Sequence, residues 1–260
     1  MNKLYIISSG AGGTHYITPD AKAALAECDV VVSYTKYAKE LKELIEGKEL
    51  FTSGMTHEIE RCTQAIEYAR QGKTTCIISN GDANVFGMAT LIVELIDEKN
   101  LWDEIELISL PGVTSFLAAA SKAGAPVSQD FSIISLSDRL TDINLIDKRV
   151  KSSLECDFVI GIYNPKSKKR IQPYQNFLAR LKEVPERIAI IAQNVGRDEK
   201  EKITITTTTD LIEQDIAHPE VGMSTMIIVC NSTTKLTKNG LVLTPRGYLN
   251  KYELDGELKQ

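Results

Sequence analysis

Gly81 and Asp82 open the stretch "GDANVFGMA", directly after the apolar run "TTCIIS" and before the helix-like run "ATLIVELIDEKN". A glycine there lets a ligand approach bare backbone, and an aspartate beside it can order the turn, cap the next helix or accept ligand hydrogen bonds. A second stretch, "ISSGAGGTHYIT", places Gly10, Gly12 and Gly13 after the first apolar run. It departs from the dinucleotide fingerprint because His15 stands where the third glycine belongs, and the chain has no GxxxxGK[ST] phosphate loop. Two more polar loops follow apolar runs: "LPGVTS" after "EIELIS", and "YNPKSKKR" after "DFVIGIY". Each alone is compatible with an ordinary turn, Asn164-Pro165 being a common turn initiator. Ligands of open α/β sheets bind outside the carboxyl ends of strands, so loops recurring at that position describe one polar site.

The elements that must carry these loops read as alternating short strands and helices. "KLYIISS", "CDVVVSY", "TTCIIS" and "EIELISL" have the apolar, β-branched character of buried strands. "HEIERCTQAIEYARQG" sets Ile59, Cys62, Ile66 and Ala69 at helical spacing and ends at Gly72. This pattern predicts a mostly parallel sheet covered by helices. A second series, "FSIISLS", "DFVIGIY", "RIAIIAQ" and "TMIIVCN", predicts another α/β unit. The first domain is expected over 1–122, the second over 123–248 with "GAPVSQD" as the hinge, and 249–260 as a polar tail. The run "ITITTTTD" reads as a strand ending in a helix cap at Thr209 or Asp210, and "RDEKEK", Arg197 to Lys202, as a solvated loop of mixed sign. His57 and His218 are expected beside helix starts in structural roles.

At 260 residues the chain is long enough for two cores. Its formal charge of -5 argues against a global basic field for nucleic acid. No run reaches the roughly 20 apolar residues of a membrane span, nor does the N-terminus read as a secretory signal. A cytoplasmic location is therefore expected. The five cysteines form no CxxC pair and read as small buried hydrophobes in a reducing compartment; no metal site is expected.

The ordered set "SGAGGTHYIT", "NGDANVFGMA", "LPGVTSFLAAASKAGAP", "DFSIISLSD", "DFVIGIYNPKSKKR" and "TPRGY" resembles the tetrapyrrole methyltransferases, over nearly the whole chain to about Tyr248. The first two loops are common to that superfamily, whereas "ISLSD", "YNPKSKKR" and "TPRGY" are similar to the branch that methylates C17 of a precorrin ring. The resemblance implies two α/β domains with an interdomain cleft and a homodimer. It also implies S-adenosylmethionine as cofactor, and C17 methylation with ring contraction of cobalt-precorrin-3 or precorrin-3B in cobalamin biosynthesis. Carried onto this chain, the cofactor contacts are Gly81, Asp82, Val85, Thr114, Ser115, Tyr163, Asn164 and Thr225, while Gly10 and Gly12 face the tetrapyrrole. Two departures stand out: Ala11 and Ser8 replace a proline and a glycine of the usual first turn, and Asn84 stands where glycine is common, a position asparagine suits if φ is positive there.

A reduced macrocycle is an electron-rich carbon nucleophile and a sulfonium methyl an electrophile, so alignment of the two is the protein's main task. Ring contraction adds proton movement, for which His15 in the substrate-side turn is the candidate acid or base, or an axial ligand to a cobalt substrate. The substrate's carboxylates call for placed cations on an acidic protein. Arg139 and Arg170 are the candidates, with Lys166, Lys168 and Lys169 read as a solvated face and Arg246 as a weaker candidate. Two competing readings are a same-fold methyltransferase acting on another precorrin position, RNA or protein, and a non-enzymatic ligand sensor. Neither calls for "YNPKSKKR" or "TPRGY".

Overall fold

Strand β1 (Asn2–Ser8) alternates its side chains between two apolar environments, as a strand covered on both faces must. Leu4 and Ile6 point to one face, where they meet Val30, Val32, Ile77, Cys62, Ile66 and Ile92. Tyr5 and Ile7 point to the other, with Val31, Cys76, Ile78, Leu25 and Leu41. Each fully buried aliphatic side chain of this kind contributes about 1.5–3 kcal/mol of transfer free energy. The structure, a computed structural model, describes residues 1–259. Its chain contacts divide it into two units, Met1–Ser115 with Val195–Asp198, and Phe116–Asn194 with Glu199 onward.

The first unit is an all-parallel sheet of β1, β2 (Val30–Tyr34), β3 (Glu49–Ser53), β4 (Thr75–Ser79) and β5 (Ile105–Leu110), in the order β3-β2-β4-β1-β5. Its helices are α1 (Pro19–Glu27), α2 (Thr35–Glu40), α3 (Glu58–Arg70) and α4 (Ala89–Glu98). Thr18 caps α1 by accepting from the Ala21 N–H at 3.2 Å, with Pro19 just inside the start. Helix α3 buries Cys62, Ile66 and Ala69 as its spacing predicts, and Ala65 and Arg61 with them, but Ile59 is 66% exposed and outside the core. Strand β3 was not legible as a strand because "ELFTS" lies at the sheet edge with no buried residue.

In the second unit, helix α5 (Ser115–Ala123) leads to β6 (Gly124–Ala125) and β7 (Phe131–Ser135). There follow α6 (Ile143–Glu155), β8 (Val159–Tyr163), α7 (Gln172–Leu181), β9 (Ile188–Gln193), β10 (Lys202–Thr207), α8 (Thr208–Gln214) and β11 (Thr225–Val229). Short strands β12 (Lys235–Leu236) and β13 (Val242–Leu243) and helix α9 (Tyr248–Lys251) complete the chain. The five-stranded sheet runs β10-β9-β11-β8-β7 and is mixed: β7 and β8 are parallel, whereas β11 runs antiparallel to both β8 and β9. Its core gathers Ile162, Tyr174, Phe177, Ile191 and Ile227.

Several sequence expectations need correction. The stretch "GAPVSQD" carries β6, which pairs with β13 in a three-stranded sheet and so is not a bare hinge. The boundary between the two contact-defined units falls at the start of α5, which packs with the second unit from Phe116 onward, and Val195–Asp198 packs with the first. Residues beyond 248 include α9 and a bridge between Tyr252 and Leu258. The cap of α8 is Thr207, whose hydroxyl accepts from the Asp210 N–H; Thr209 and Asp210 lie inside the helix. Cys156 is exposed, unlike the other four cysteines. No described helix is long and apolar enough to cross a membrane.

Candidate functional site

Parallel pairing of β1 with both β4 and β5 brings three loops to one edge of the first sheet, because Ser8 lies opposite Ser79 and Ile7 opposite Leu110. Backbone bonds stitch the first two: the Gly81 N–H donates to Gly10 O at 2.7 Å and the Gly10 N–H to Gly81 O at 3.1 Å. Gly10 has φ +78°, and a Cβ there would overlap the Tyr16 backbone, so only glycine fits. The third loop closes in as tightly. A Cβ on Gly112 would collide with Gly81 O and the Ser8 side chain.

Side chains fix the same three loops. The Asp82 carboxylate accepts from the Asn84 N–H at 2.8 Å and the Asn84 amide at 3.2 Å, and its other oxygen accepts from the Gly112 N–H at 3.0 Å. Asp82 therefore does not cap α4, which begins at Ala89, but joins the loop after β4 to the loop after β5. Buried Ser8, the residue in place of a glycine, accepts from the Ala83 N–H at 2.9 Å, which adds a tether where Ala11 removes a proline's stiffness. The Asn80 amide donates to Gly10 O at 2.7 Å. Besides Gly81, positive φ in this loop falls on Phe86, at +54°, and not on Asn84.

Gly81, at φ +70°, has only Thr114 near the place a Cβ would occupy, 3.8 Å from Thr114 Cα. Thr114 is buried, Val85 and Ser115 are half-buried, and the Val85 N–H donates to Asp82 O at 3.0 Å. Bare backbone, hydroxyls and one carboxylate, with no lysine or arginine among these five residues, suit a cofactor that carries a positive sulfonium and ammonium. The residues fit S-adenosylmethionine on that ground.

In the second sheet, Tyr163, Asn164 and Thr225 share one end, because β11 runs antiparallel to β8 with Ile227 opposite Ile162. The Phe116 N–H donates to the Tyr163 hydroxyl at 3.1 Å, and the Asn164 amide to the Ser135 hydroxyl at 3.0 Å with Asn164 at φ +51°. Gly161 leaves room for the Phe116 ring, 2.5 Å from where its Cβ would stand. The Thr225 hydroxyl is held internally, donating to Glu220 O at 2.8 Å and accepting from the Gly222 N–H at 3.1 Å.

The cations divide by task. Arg170 donates to Leu136 O, and to Asn164 O at 2.8 Å, so its guanidinium ties the ends of β7 and β8 together; burial lowers its pKa. Arg139 is exposed. Lys166 is not part of a solvated face: it donates to Ile216 O, and to His218 O at 3.3 Å, and burial lowers its pKa. Lys168 and Lys169 are exposed, as is Arg246, which donates to Ser128 O at 3.1 Å. His15 is exposed in the glycine-rich turn. His57 stands at the start of α3, 2.8 Å from Glu60, but His218 follows a 3-10 turn, is buried and meets Asp210 at 3.2 Å. Among the described residues no group of three or more His, Cys, Asp or Glu could hold a metal ion.

Sequence reasoning missed Ser8, Asn80, Gly112 and above all Arg197, which pairs with Glu40 at 2.8 Å and is only 17% exposed on its side chain. Nothing in "RDEKEK" marks one arginine as anchored, since its partners are more than 100 residues away.

Parallel sheet, glycine-paired strand ends and the clamped Gly-Asp loop coincide with a family match. The model of the tetrapyrrole (corrin/porphyrin) methylases matches residues 3–212, and the chain belongs to that family. Among its relatives, a Methanocaldococcus jannaschii protein described as a probable cobalt-factor III C(17)-methyltransferase is 38% identical over 255 residues, 96% of this chain and 100% of that protein. The cobalt-factor III methyltransferase of Priestia megaterium is 37% identical over 258 residues, 97% of this chain but 46% of that longer protein. The crystal structure of the methyltransferase CobJ superposes with a TM-score of 0.86 at 32% identity, over 94% of this chain and 100% of that one.

Proposed function

We propose that this chain is an S-adenosylmethionine-dependent C-methyltransferase that methylates C17 of a precorrin-3-stage tetrapyrrole, with ring contraction, in cobalamin biosynthesis. The observation that carries the reading is the paired Gly10–Gly81 strand ends with Asp82 bound to Gly112, in a chain that aligns along its length with a relative described as a probable cobalt-factor III C(17)-methyltransferase. Relatives at 37% and 38% identity are named for cobalt-factor III, which supports a cobalt-bearing macrocycle over a metal-free one. When bound, S-adenosylmethionine supplies an electrophilic methyl on sulfonium sulfur.

On this reading Gly81, Asp82, Val85, Thr114 and Ser115 bind and orient the cofactor, and Tyr163, Asn164 and Thr225 are the further contacts that the family resemblance implies. Thr225 would contribute through its backbone, since its hydroxyl is held internally. Gly10 and Gly12 face the macrocycle, and Arg139 is free to meet a carboxylate, while Arg170 acts mainly by holding the ends of β7 and β8. His15 is the exposed candidate acid or base of the substrate-side turn. Orientation of bound reactants can lower the barrier by about 7–11 kcal/mol, so a site built of stiffened loops is adequate for methyl transfer.

The test is to incubate the purified protein with S-adenosylmethionine and, separately, the cobalt and metal-free macrocycles, following product mass and absorbance. The expected product is one methyl group heavier, with an altered chromophore, from the cobalt substrate. No methylation of either macrocycle refutes the proposal.

A further inference from the structure

Arg197 lies four residues beyond β9 in sequence, yet it packs with the first unit against the glycine-rich turn. Its Nε donates to Glu40 Oε1 at 2.8 Å, and one terminal nitrogen donates to Glu40 Oε2 at 3.4 Å and to Asn80 Oδ1 at 3.2 Å. The Asn80 amide then donates to Gly10 O, the same carbonyl that receives the Gly81 N–H. Backbone packing accompanies the polar chain. A Cβ on Gly12 would stand 3.0 Å from Arg197 Cγ, and one on Gly196 3.0 Å from Ala11 O and from the Tyr16 ring.

The direction of these bonds is determined by chemistry. Arginine has no acceptor and a carbonyl has no donor, so only one orientation of the Asn80 amide satisfies both neighbours. Without the Arg197 fork, the Asn80 oxygen loses its donor and the amide is held only by its own bond to Gly10 O. The Arg197–Glu40 pair, with side chains 17% and 19% exposed, pays much of its attraction back in desolvation. Its net contribution to stability is therefore small, although removing one partner alone leaves the other charge poorly solvated and unpaired.

We propose that Arg197 is a positioning residue: held by Glu40, it orients Asn80 and thereby shapes the Gly10–Gly13 turn for the macrocycle. The inference rests on the reading that this turn faces the tetrapyrrole. Two variants separate the links. Arg197→Met keeps the stem beside Gly12 and removes the fork, whereas Asn80→Asp keeps an acceptor for Arg197 and removes the donor to Gly10 O.

Each variant is expected to raise the macrocycle KM about tenfold or more, as loss of a charge-assisted or orienting hydrogen bond does. S-adenosylhomocysteine affinity should fall by less than macrocycle affinity, since the Gly81 N–H keeps its own bond to Gly10 O. The double variant should be no worse than the worse single one. Wild-type KM in either variant, or a fall in cofactor affinity as large as the rise in KM, overturns the proposal; a lower melting temperature is expected of Arg197→Met, which leaves Glu40 unpaired. Amide hydrogen exchange on the ligand-free protein provides a separate readout: the Gly10–Gly13 amides should exchange about tenfold faster in Arg197→Met, since local opening reflects lost local contacts. Unchanged exchange overturns the inference whether or not the wild type methylates a macrocycle, and absence of wild-type turnover counts against the functional reading alone.

Discussion

Replacing Asp82 by alanine removes the acceptor that joins two loops. Three bonds are lost: from the Asn84 N–H at 2.8 Å, the Asn84 amide at 3.2 Å and the Gly112 N–H at 3.0 Å. A hydrogen bond to a charged group contributes about 1.5–3 kcal/mol. Because Asp82 is half-exposed and water competes, the lower figure applies to the Gly112 bond, the only one of the three that spans loops. An energy of about 1.5 kcal/mol corresponds to roughly tenfold in affinity for a ligand that requires the joined loops. At about 2–4 °C per kcal/mol for a chain near this size, the melting temperature should fall by about 3–6 °C. Asp82→Asn is the informative companion: with its oxygen on the Asn84 N–H, its NH2 group faces the Gly112 N–H, donor against donor. It should lose cofactor affinity nearly as fully as alanine while keeping the local turn. Titration calorimetry with S-adenosylhomocysteine, alongside thermal melts, provides the comparison, and wild-type affinity in both variants would refute the reasoning.

Acid stability follows from three carboxylates held below their usual pKa. Arg180 lowers Asp147 and Lys202 lowers Glu220; at Asp210 burial acts upward but hydrogen bonds from Gln214, Thr206 and His218 outweigh it. The unfolded chain therefore takes up protons first, so this stability is present above the unfolded pKa of about 4 and is lost as pH falls through it toward the folded values. Urea midpoints should drop between pH 5 and pH 3 less steeply in Asp147→Asn and Asp210→Asn; slopes equal to wild type would contradict the assignment. Native alkylation should modify Cys156 and spare Cys28, Cys62, Cys76 and Cys230. Burial pushes the Cys62 and Cys230 thiols up to about 12 and raises Cys76 as well, so peptide mass mapping that finds these labelled in the folded protein would contradict the buried state.

Much of the frame was legible in the residues. Runs such as "KLYIISS" and "TTCIIS" are apolar through the middle of strands that the double-covered sheet buries, and a glycine or asparagine after a strand announces a turn that a side chain would obstruct. Strand β3 escaped notice because an edge strand needs little burial to pair, and β6, β12 and β13 because each is only two residues long. The mixed direction of the second sheet was equally hidden, since a buried strand has the same composition whichever way it runs.

The candidate site shows the same division. Gly10, Gly81 and Asp82 could be picked out locally, because backbone freedom and charge are properties of a residue and its neighbours in sequence. What each holds was decided only when the strands paired. Parallel register set Gly112 against Gly81 O, placed the Asp82 carboxylate on the Gly112 N–H and brought Ser8 under Ala83. Arg170 and Lys166, exposed cations to a reader of sequence, turned inward to carbonyls that no local pattern places beside them. Arg197 is the extreme case, meeting Glu40 across 157 positions of chain. Hydrogen bonds are short-ranged and directional, so their partners are selected by the few ångströms that tertiary packing determines, while burial and turn propensity are already present in the order of the residues.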